Sequence, residues 1–374
     1  MILALLLAFS VGGLLGYRFS DWENPWFSKD SNDLTVIKND GSIKVNEEVG
    51  STGYSNLSVS EVVNVVADSV VEITTSQVTT DIFYNSYVTS GAGSGVLIGE
   101  NEEQTISYII TNYHVIDGAD KIIVRLRNGS EYEATALCGD ADFDIAVLTI
   151  SAGDLSYATL GSSKSLRVGE EVVAIGNPLG QLGGTVTDGI ISALDRDVII
   201  DHHRMTLLQT NAAINPGNSG GGLFNMAGEL IGIVNAKQAQ TGIEGLGFAI
   251  PIDVAWNVAE DMIQYGYVTG KLEMGFEIEV HTEAFKKASG YSVYTFPAGV
   301  YVVESEQDDL NNYDRIISIN GNEISDIYDY YDVMDTLQSG DTVKMVVSRL
   351  TVIGARYSFT DVTVNFKVSI TEAP

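Results

Sequence analysis

A serine hydroxyl becomes a useful nucleophile only when a base takes its proton and donors hold the oxyanion it creates. The stretch Asn215-Pro216-Gly217-Asn218-Ser219-Gly220-Gly221 offers a serine in such a setting. Glycines on both sides of Ser219 allow a tight turn where a side chain would clash. The backbone of Gly217, Asn218 and Ser219 could then form an oxyanion hole, with the amides of Gly217 and Ser219 aimed at one point. Upstream, His114 ends the run Ile109-Ile110-Thr111-Asn112-Tyr113-His114, and Asp144 opens the apolar run Ile145-Ala146-Val147-Leu148. Each is weak evidence alone: a glycine turn, a structural histidine, a turn aspartate. Together they supply the nucleophile, the base and the group that fixes the base's tautomer.

Such groups need a rigid scaffold, and the sequence reads as mainly β. Six short apolar segments lie at Val70–Val78, 95–98, 108–111, 121–126, 131–137 and 145–150, separated by Gly, Asn and Asp. Six more follow at 171–176, 184–194, 207–210, 222–224, 229–236 and 247–250. Strands at this spacing predict two six-stranded antiparallel β-barrels, with the reactive residues near where they meet. Ser58 with Glu61 three residues later predicts a capped helix to about Asp68, burying Val62, Val65 and Val66. Residues 251–265 read as a helix with Ala255, Val258, Ala259, Met262 and Ile263 on one face. Gly266 and Gly270 place a boundary there, before a separate α+β unit.

The chain has 374 residues, with 20 Lys+Arg against 50 Asp+Glu and a net charge of −30. The negative charge is spread along the chain, which argues against nucleic-acid binding and for a self-repelling, soluble surface. Cys138 is the only cysteine, so no intrachain disulfide forms, and it reads as a small buried hydrophobe. His202 and His203 would face opposite ways on a strand, and no third ligand is evident, so no metal site is expected. No cofactor is expected either.

Residues 1–17 are almost wholly apolar, and as a helix they would span roughly 26 Å, close to a hydrocarbon core of about 30 Å. They read as a transmembrane signal anchor, Gly16-Tyr17-Arg18 being a poor cleavage site. No basic residue precedes the segment, so the natural start is expected upstream, with the missing positive charges. Residues 18–57 read as a polar linker, with Trp22, Trp26 and Phe27 near the membrane interface.

The chain order His, Asp, Ser is that of chymotrypsin-type triads. From about residue 58 to 350 the sequence resembles the HtrA/Deg family of serine proteases. The resemblance rests on Thr111-Asn112-Tyr113-His114-Val115, Asp144-Ile145-Ala146-Val147-Leu148 and Ala212 to Gly221. It extends to Ala174-Ile175-Gly176-Asn177-Pro178, Val186 to Ser192 and Gly245 to Pro251. It implies an ATP-independent endopeptidase acting on misfolded or unfolded proteins outside the cytosol. It also implies a homotrimer, a protease domain over 58–265 and a C-terminal PDZ domain over 266–374. The rival reading is a chaperone-like or adaptor module with an inactive protease fold; a processing protease of narrow specificity is a further alternative. Asn211 stands where relatives usually carry Asp, and Gly222 where they carry Pro; neither replaces a catalytic group.

Several finer expectations follow from the family. Loops equivalent to residues 177–187 and 236–245 order the active site in relatives. Ile214 and Asn235 are expected to line a pocket for small aliphatic P1 residues. The segment from about Gln77 to Ser90 reads as a short loop whose Phe83, Tyr84 and Tyr87 could pack between subunits. The C-terminal unit would bind the C-terminus of a peptide by strand addition, with the carboxylate near Met274, Gly275 and Phe276. Glu273 and Glu277 flank that nest and would repel a carboxylate. Tyr313-Asp314 replaces the Gly-Asp expected before Arg315.

Overall fold

The computed structural model describes residues 34–36, 57–80, 86–177, 185–215, 217–237, 246–281, 297–353 and 356–371. The apolar segment 1–17, Phe83, Tyr84 and most of the two loops at 177–187 and 236–245 lie outside the described residues. Among the described residues no helix is long and apolar enough to cross a membrane.

Twelve strands form two closed antiparallel barrels. The first comprises β1 (Val70–Thr80), β2 (Ser86–Asn101), β3 (Ser107–Thr111), β4 (Lys121–Arg125), β5 (Glu131–Asp140) and β6 (Ile145–Ile150). The second comprises β7 (Glu171–Gly176), β8 (Thr185–Ile200), β9 (His203–Thr210), β10 (Gly222–Asn225), β11 (Glu229–Asn235) and β12 (Gly247–Pro251). Around the first barrel the order is β1-β2-β3-β6-β5-β4, and around the second it is β7-β8-β9-β12-β11-β10. The two barrels therefore share one topology. Closure removes the unpaired edges that an open sheet would leave. Leu34–Val36, inside the segment read as linker, adds an antiparallel strand outside the first barrel on β2. Thr159–Leu160 pairs parallel to β11.

The period of two along each strand divides the apolar residues between cores. Leu97, Ile109, Ala146 and Leu148 join a cluster belonging to the first barrel. Ala174, Leu208, Ile231 and Val234 do the same in the second. Their neighbours Val96, Ile110, Val147, Ile175 and Ile233 turn the other way, into a third cluster between the barrels. Both faces of the central strands are therefore buried, which is why β6 reads as an apolar run from Ile145 to Leu148. Helices α1 (Val59–Val66) and α3 (Ile252–Tyr265) pack on the shared cluster, while the short α2 (Tyr113–Ile116) packs on the first barrel's own cluster through Val115 and Ile116.

The capping box forms as expected: Ser58 N donates to Glu61 Oε2 at 2.7 Å. Val62 and Val66 are buried, but Val65 is 63% exposed, contrary to expectation, because the α-helical turn carries it off the apolar face. All five residues expected on the buried face of α3 are buried, and Gly266 caps it at φ 81°. The expected loop from Gln77 to Ser90 is instead mostly a paired ribbon, with register continuing from Ser76↔Ser90 to Thr80↔Ser86.

Beyond α3 lies a separate core. Strands β13 (Phe276–His281), β14 (Gly299–Ser305), β15 (Arg315–Ile319), β16 (Thr342–Ile353) and β17 (Arg356–Lys367) form an antiparallel sheet. Helix α4 (Ile327–Met334), capped by Asp326, packs on the same core through Ile327, Tyr330, Val333 and Met334.

Polar contacts tie this unit to the barrels. Tyr331 donates its hydroxyl to the His202 carbonyl at 2.7 Å. Arg204 Nη1 donates to Asp332 at 2.8 Å and to Asp335 at 3.1 Å. Lys271 Nζ donates to Asp140 Oδ2 at 2.6 Å and also pairs with Asp142.

Candidate active site

His114 sits on α2, directly after β3, where the chain leaves the first barrel at the seam. Asp144 occupies the turn between β5 and β6 with φ 49°, an uncommon conformation for a residue with a side chain. Ser219 comes from the second barrel, on the loop between β9 and β10, flanked by Gly217 at φ 102° and Gly220 at φ 80°. A Cβ on Gly220 would stand 2.2 Å from the Ser94 carbonyl oxygen and from Thr111 Oγ1, so only glycine fits.

The three side chains form one hydrogen-bonded line. His114 Nδ1 lies 2.7 Å from Asp144 Oδ2, and His114 Nε2 lies 3.0 Å from Ser219 Oγ. A carboxylate can only accept, so Nδ1 carries the proton and Nε2 turns its lone pair to the serine. The His114 backbone N–H also donates to Asp144 Oδ1 at 3.0 Å. Asp144 is buried at 3% exposure while the imidazole is partly open.

The serine loop is fastened to both barrels. Ser94 N donates to Ser219 O at 2.8 Å. Asn177 N donates to Ser94 Oγ at 2.8 Å. Gly220 N donates to Val234 O at 2.9 Å. Ala236 N donates to Ser219 Oγ at 3.0 Å. The amides of Gly217 and Ser219 donate to no other described residue. Asn218 differs from the expected oxyanion hole: its N–H is committed to Asn215 O at 3.0 Å by the turn itself.

Asn235, expected to line the pocket, is 1% exposed. The strand's alternation turns it inward, where Nδ2 donates to Asp144 Oδ2 at 2.9 Å. Ile214 is buried at 9% exposure in the second barrel's core, beside Gly247. Sequence reasoning also passed over Ser94 and Asn112, whose Nδ2 donates to the Asp144 carbonyl at 3.0 Å. Asn112 lies within the quoted histidine motif, but only barrel closure reveals its partner. Asn211 Oδ1 accepts from Ile190 N at 2.7 Å, a bond that an aspartate at this position would accept equally well.

Elsewhere, His203 opens β9, and its Nδ1 meets Asp142 Oδ1 at 2.6 Å. Burial, with Asp140 nearby, pushes the Cys138 thiol up to about 11. In the C-terminal unit, Met274 is buried in the core. Gly275 has φ 68°, and Phe276 packs edge-on against Phe366 with centroids 5.7 Å apart. Gln307 Nε2 donates to Met274 O at 3.1 Å and Glu306 N to Gly275 O at 2.8 Å, which fixes this loop.

Two six-stranded barrels with a serine, histidine and aspartate at their seam define a trypsin-like serine protease fold. The family model described as "Trypsin-like peptidase domain" matches residues 93–233. The chain is 34% identical over 373 residues to Serine protease Do-like HtrB of Bacillus subtilis (strain 168), covering 91% of this chain and 79% of that protein. It is 41% identical over 268 residues to a probable periplasmic serine endoprotease DegP-like of Pseudomonas savastanoi pv. phaseolicola (strain 1448A / Race 6), covering 70% and 54% respectively. The solved structure of the HtrA-type protease AlgW with decapeptide superposes with TM-score 0.54 at 31% identity, covering 85% of this chain and 100% of that one. The chain belongs to the HtrA-type, Do-like family of serine proteases, and it is a serine endopeptidase.

Proposed function

We propose that this chain hydrolyses peptide bonds through Ser219, His114 and Asp144. The observation that carries the reading is the continuous line from Asp144 Oδ2 through the imidazole to Ser219 Oγ. Ser219 Oγ attacks the scissile carbonyl carbon as His114 Nε2 takes its proton. The amides of Gly217 and Ser219 receive the oxyanion. Collapse of the tetrahedral intermediate expels the amine, which takes the proton from His114. Water then attacks the acyl-serine by the same route, and Asp144 stabilises the imidazolium each time it forms.

The substrates on this reading are misfolded or unfolded proteins met outside the cytosol. A relative named as a periplasmic endoprotease supports that location. Residues 1–17 would anchor the chain to the membrane, 18–57 would form a linker, 58–265 the protease domain and 266–374 a PDZ domain. The last would take the C-terminus of a peptide at Met274, Gly275 and Phe276, and the decapeptide held by AlgW supports a peptide partner. A homotrimer is the assembly proposed.

The test is hydrolysis of unfolded casein by the chain beside its Ser219→Ala variant. Cleavage lost in the variant supports the reading. No cleavage by either, even with hydrophobic C-terminal peptides added, favours a binding module. Titration with those peptides tests the C-terminal site, and an absence of saturable binding would refute it.

A further inference from the structure

The geometry points to two buried amides, Asn112 and Asn235, as positioning residues that fix Asp144 for proton transfer, one from each barrel. The inference rests on the reading of Asp144 as the acid of the triad. Asp144 presents two things that must be held: a backbone in the left-handed region and a carboxylate free to rotate about its last torsion. Each is met by one amide. Asn112 Nδ2 donates to the Asp144 carbonyl at 3.0 Å, which holds the main chain in the φ 49° conformation. Asn235 Nδ2 donates to Oδ2 at 2.9 Å. That is the same oxygen that faces His114 Nδ1, so the carboxylate cannot turn it away from the imidazole.

Both side chains are sealed from water, Asn112 at 0% and Asn235 at 1% exposure. Asn112 Oδ1 has no hydrogen-bond partner among the described residues. A polar side chain kept at full burial with one end unsatisfied is a poor choice for packing alone, since an apolar residue of similar volume would fit without that penalty. Its donating end therefore accounts for its presence.

The choice of an amide has an electrostatic reason. A lysine or arginine at either position would spend the Asp144 charge on a second cation, weakening its hold on the imidazolium. A neutral N–H donor orients the carboxylate and leaves its full charge facing His114. Asn235 is also tied in place, because its Oδ1 accepts from Lys237 N at 3.1 Å. The next residue, Ala236, donates its N–H to Ser219 Oγ. Two consecutive residues of the second barrel thus register Asp144 from the first barrel and Ser219 from the second against one another.

The experiment uses the full chain with Asn112→Leu, Asn235→Leu and Asn235→Ser. Steady-state kinetics on a fluorogenic peptide with Val at P1 are combined with the downfield proton resonance of His114 Nδ1 and with thermal melts. Each Leu variant should lose roughly tenfold to a hundredfold in kcat, the scale of a misplacement near 1 Å. KM should stay within about twofold and the resonance should shift or broaden. Asn235→Ser keeps a donor and should recover part of the loss. Unchanged kcat and resonance in both Leu variants would overturn the assignment. So would losses that follow the melting curve and that serine does not recover. An inactive parent chain would count against the protease reading, while the resonance, which needs no substrate, would still decide the role of the amides.

Discussion

Ser94 Oγ donates to the carbonyl of Gly217 at 2.6 Å, across 123 residues of chain. The same oxygen accepts from Asn177 N. One hydroxyl in the first barrel thereby holds the Gly217–Asn218 peptide of the second. Ser94→Ala would strand a buried carbonyl and a buried amide, each worth about 1–3 kcal/mol when left unpaired. We expect kcat to fall by about tenfold or more, because the turn that carries the Gly217 and Ser219 amides would lose this fastening to the first barrel. KM should change little. Kinetics on a short fluorogenic peptide would check this, and a kcat equal to that of the parent would refute it.

The stabilising contacts of the C-terminal unit also contain a strained point. Tyr313 has φ 69°, in the left-handed region that favours glycine. Its side chain is 45% exposed, so little packing depends on it. A left-handed residue with a Cβ costs roughly 1–2 kcal/mol, against about 0.5–1 kcal/mol for the greater unfolded-state freedom of glycine. Tyr313→Gly should therefore stabilise by about 0.5–1 kcal/mol and raise the unfolding midpoint by a few degrees. A lower midpoint in differential scanning calorimetry would show that the tyrosine ring contributes more than its exposure implies.

The reactive residues were legible because each lies in a short local motif, and the barrels because turn residues recur between apolar runs. What the sequence concealed is non-local. Asn112 and Asp144 are 32 residues apart, and Asn235 and Asp144 are 91 apart, so their contacts exist only once both barrels close. The pocket expectation for Asn235 came from the family resemblance, which did not reveal the bond of its side chain to Asp144. The ribbon from Gln77 to Ser90 was read as a loop because its described residues are mostly exposed and mix Thr, Ser and Gln with Val78, Tyr87 and Val88. Polar residues on both faces remove the alternation that marks a strand.

The contacts of Lys271 lead to a pH prediction. Burial alone would raise the Asp142 carboxyl, but the His203 hydrogen bond and the Lys271 ammonium outweigh it and hold it below the usual carboxylate range. Burial alone would lower Lys271, but Asp142 and Asp140 outweigh that and hold it above its ordinary value. A depressed carboxyl stabilises the fold above its unfolded pKa of about 3.9, and that stability is lost as pH falls through the folded value. A raised ammonium stabilises below its unfolded value of about 10.4, and that stability is lost as pH rises through the folded value. Lys271→Ala should therefore lower the unfolding midpoint most between about pH 4 and pH 10. The difference should shrink on both sides in melts run from pH 3 to 11. A difference that stays constant with pH would contradict it.

The net charge of −30 makes a prediction about salt. Like charges spread over a compact surface repel one another and oppose folding. The Debye length falls from about 30 Å at 0.01 M to about 8 Å at 0.15 M, which screens most of that repulsion. Screening also weakens the exposed pairs of Arg204 with Asp332 and Asp335, but exposed pairs contribute at most about 1 kcal/mol each. Self-repulsion should dominate, so the unfolding midpoint should rise as sodium chloride increases over this range. The same field attracts cationic chains and repels anionic ones. At low salt an unfolded substrate rich in lysine should be cleaved faster than one rich in glutamate, and added salt should bring the two rates together. Initial rates for a matched pair of unfolded substrates would test this. Rates that do not respond to salt would mean that the substrate meets a locally neutral cleft, whatever the charge of the whole molecule.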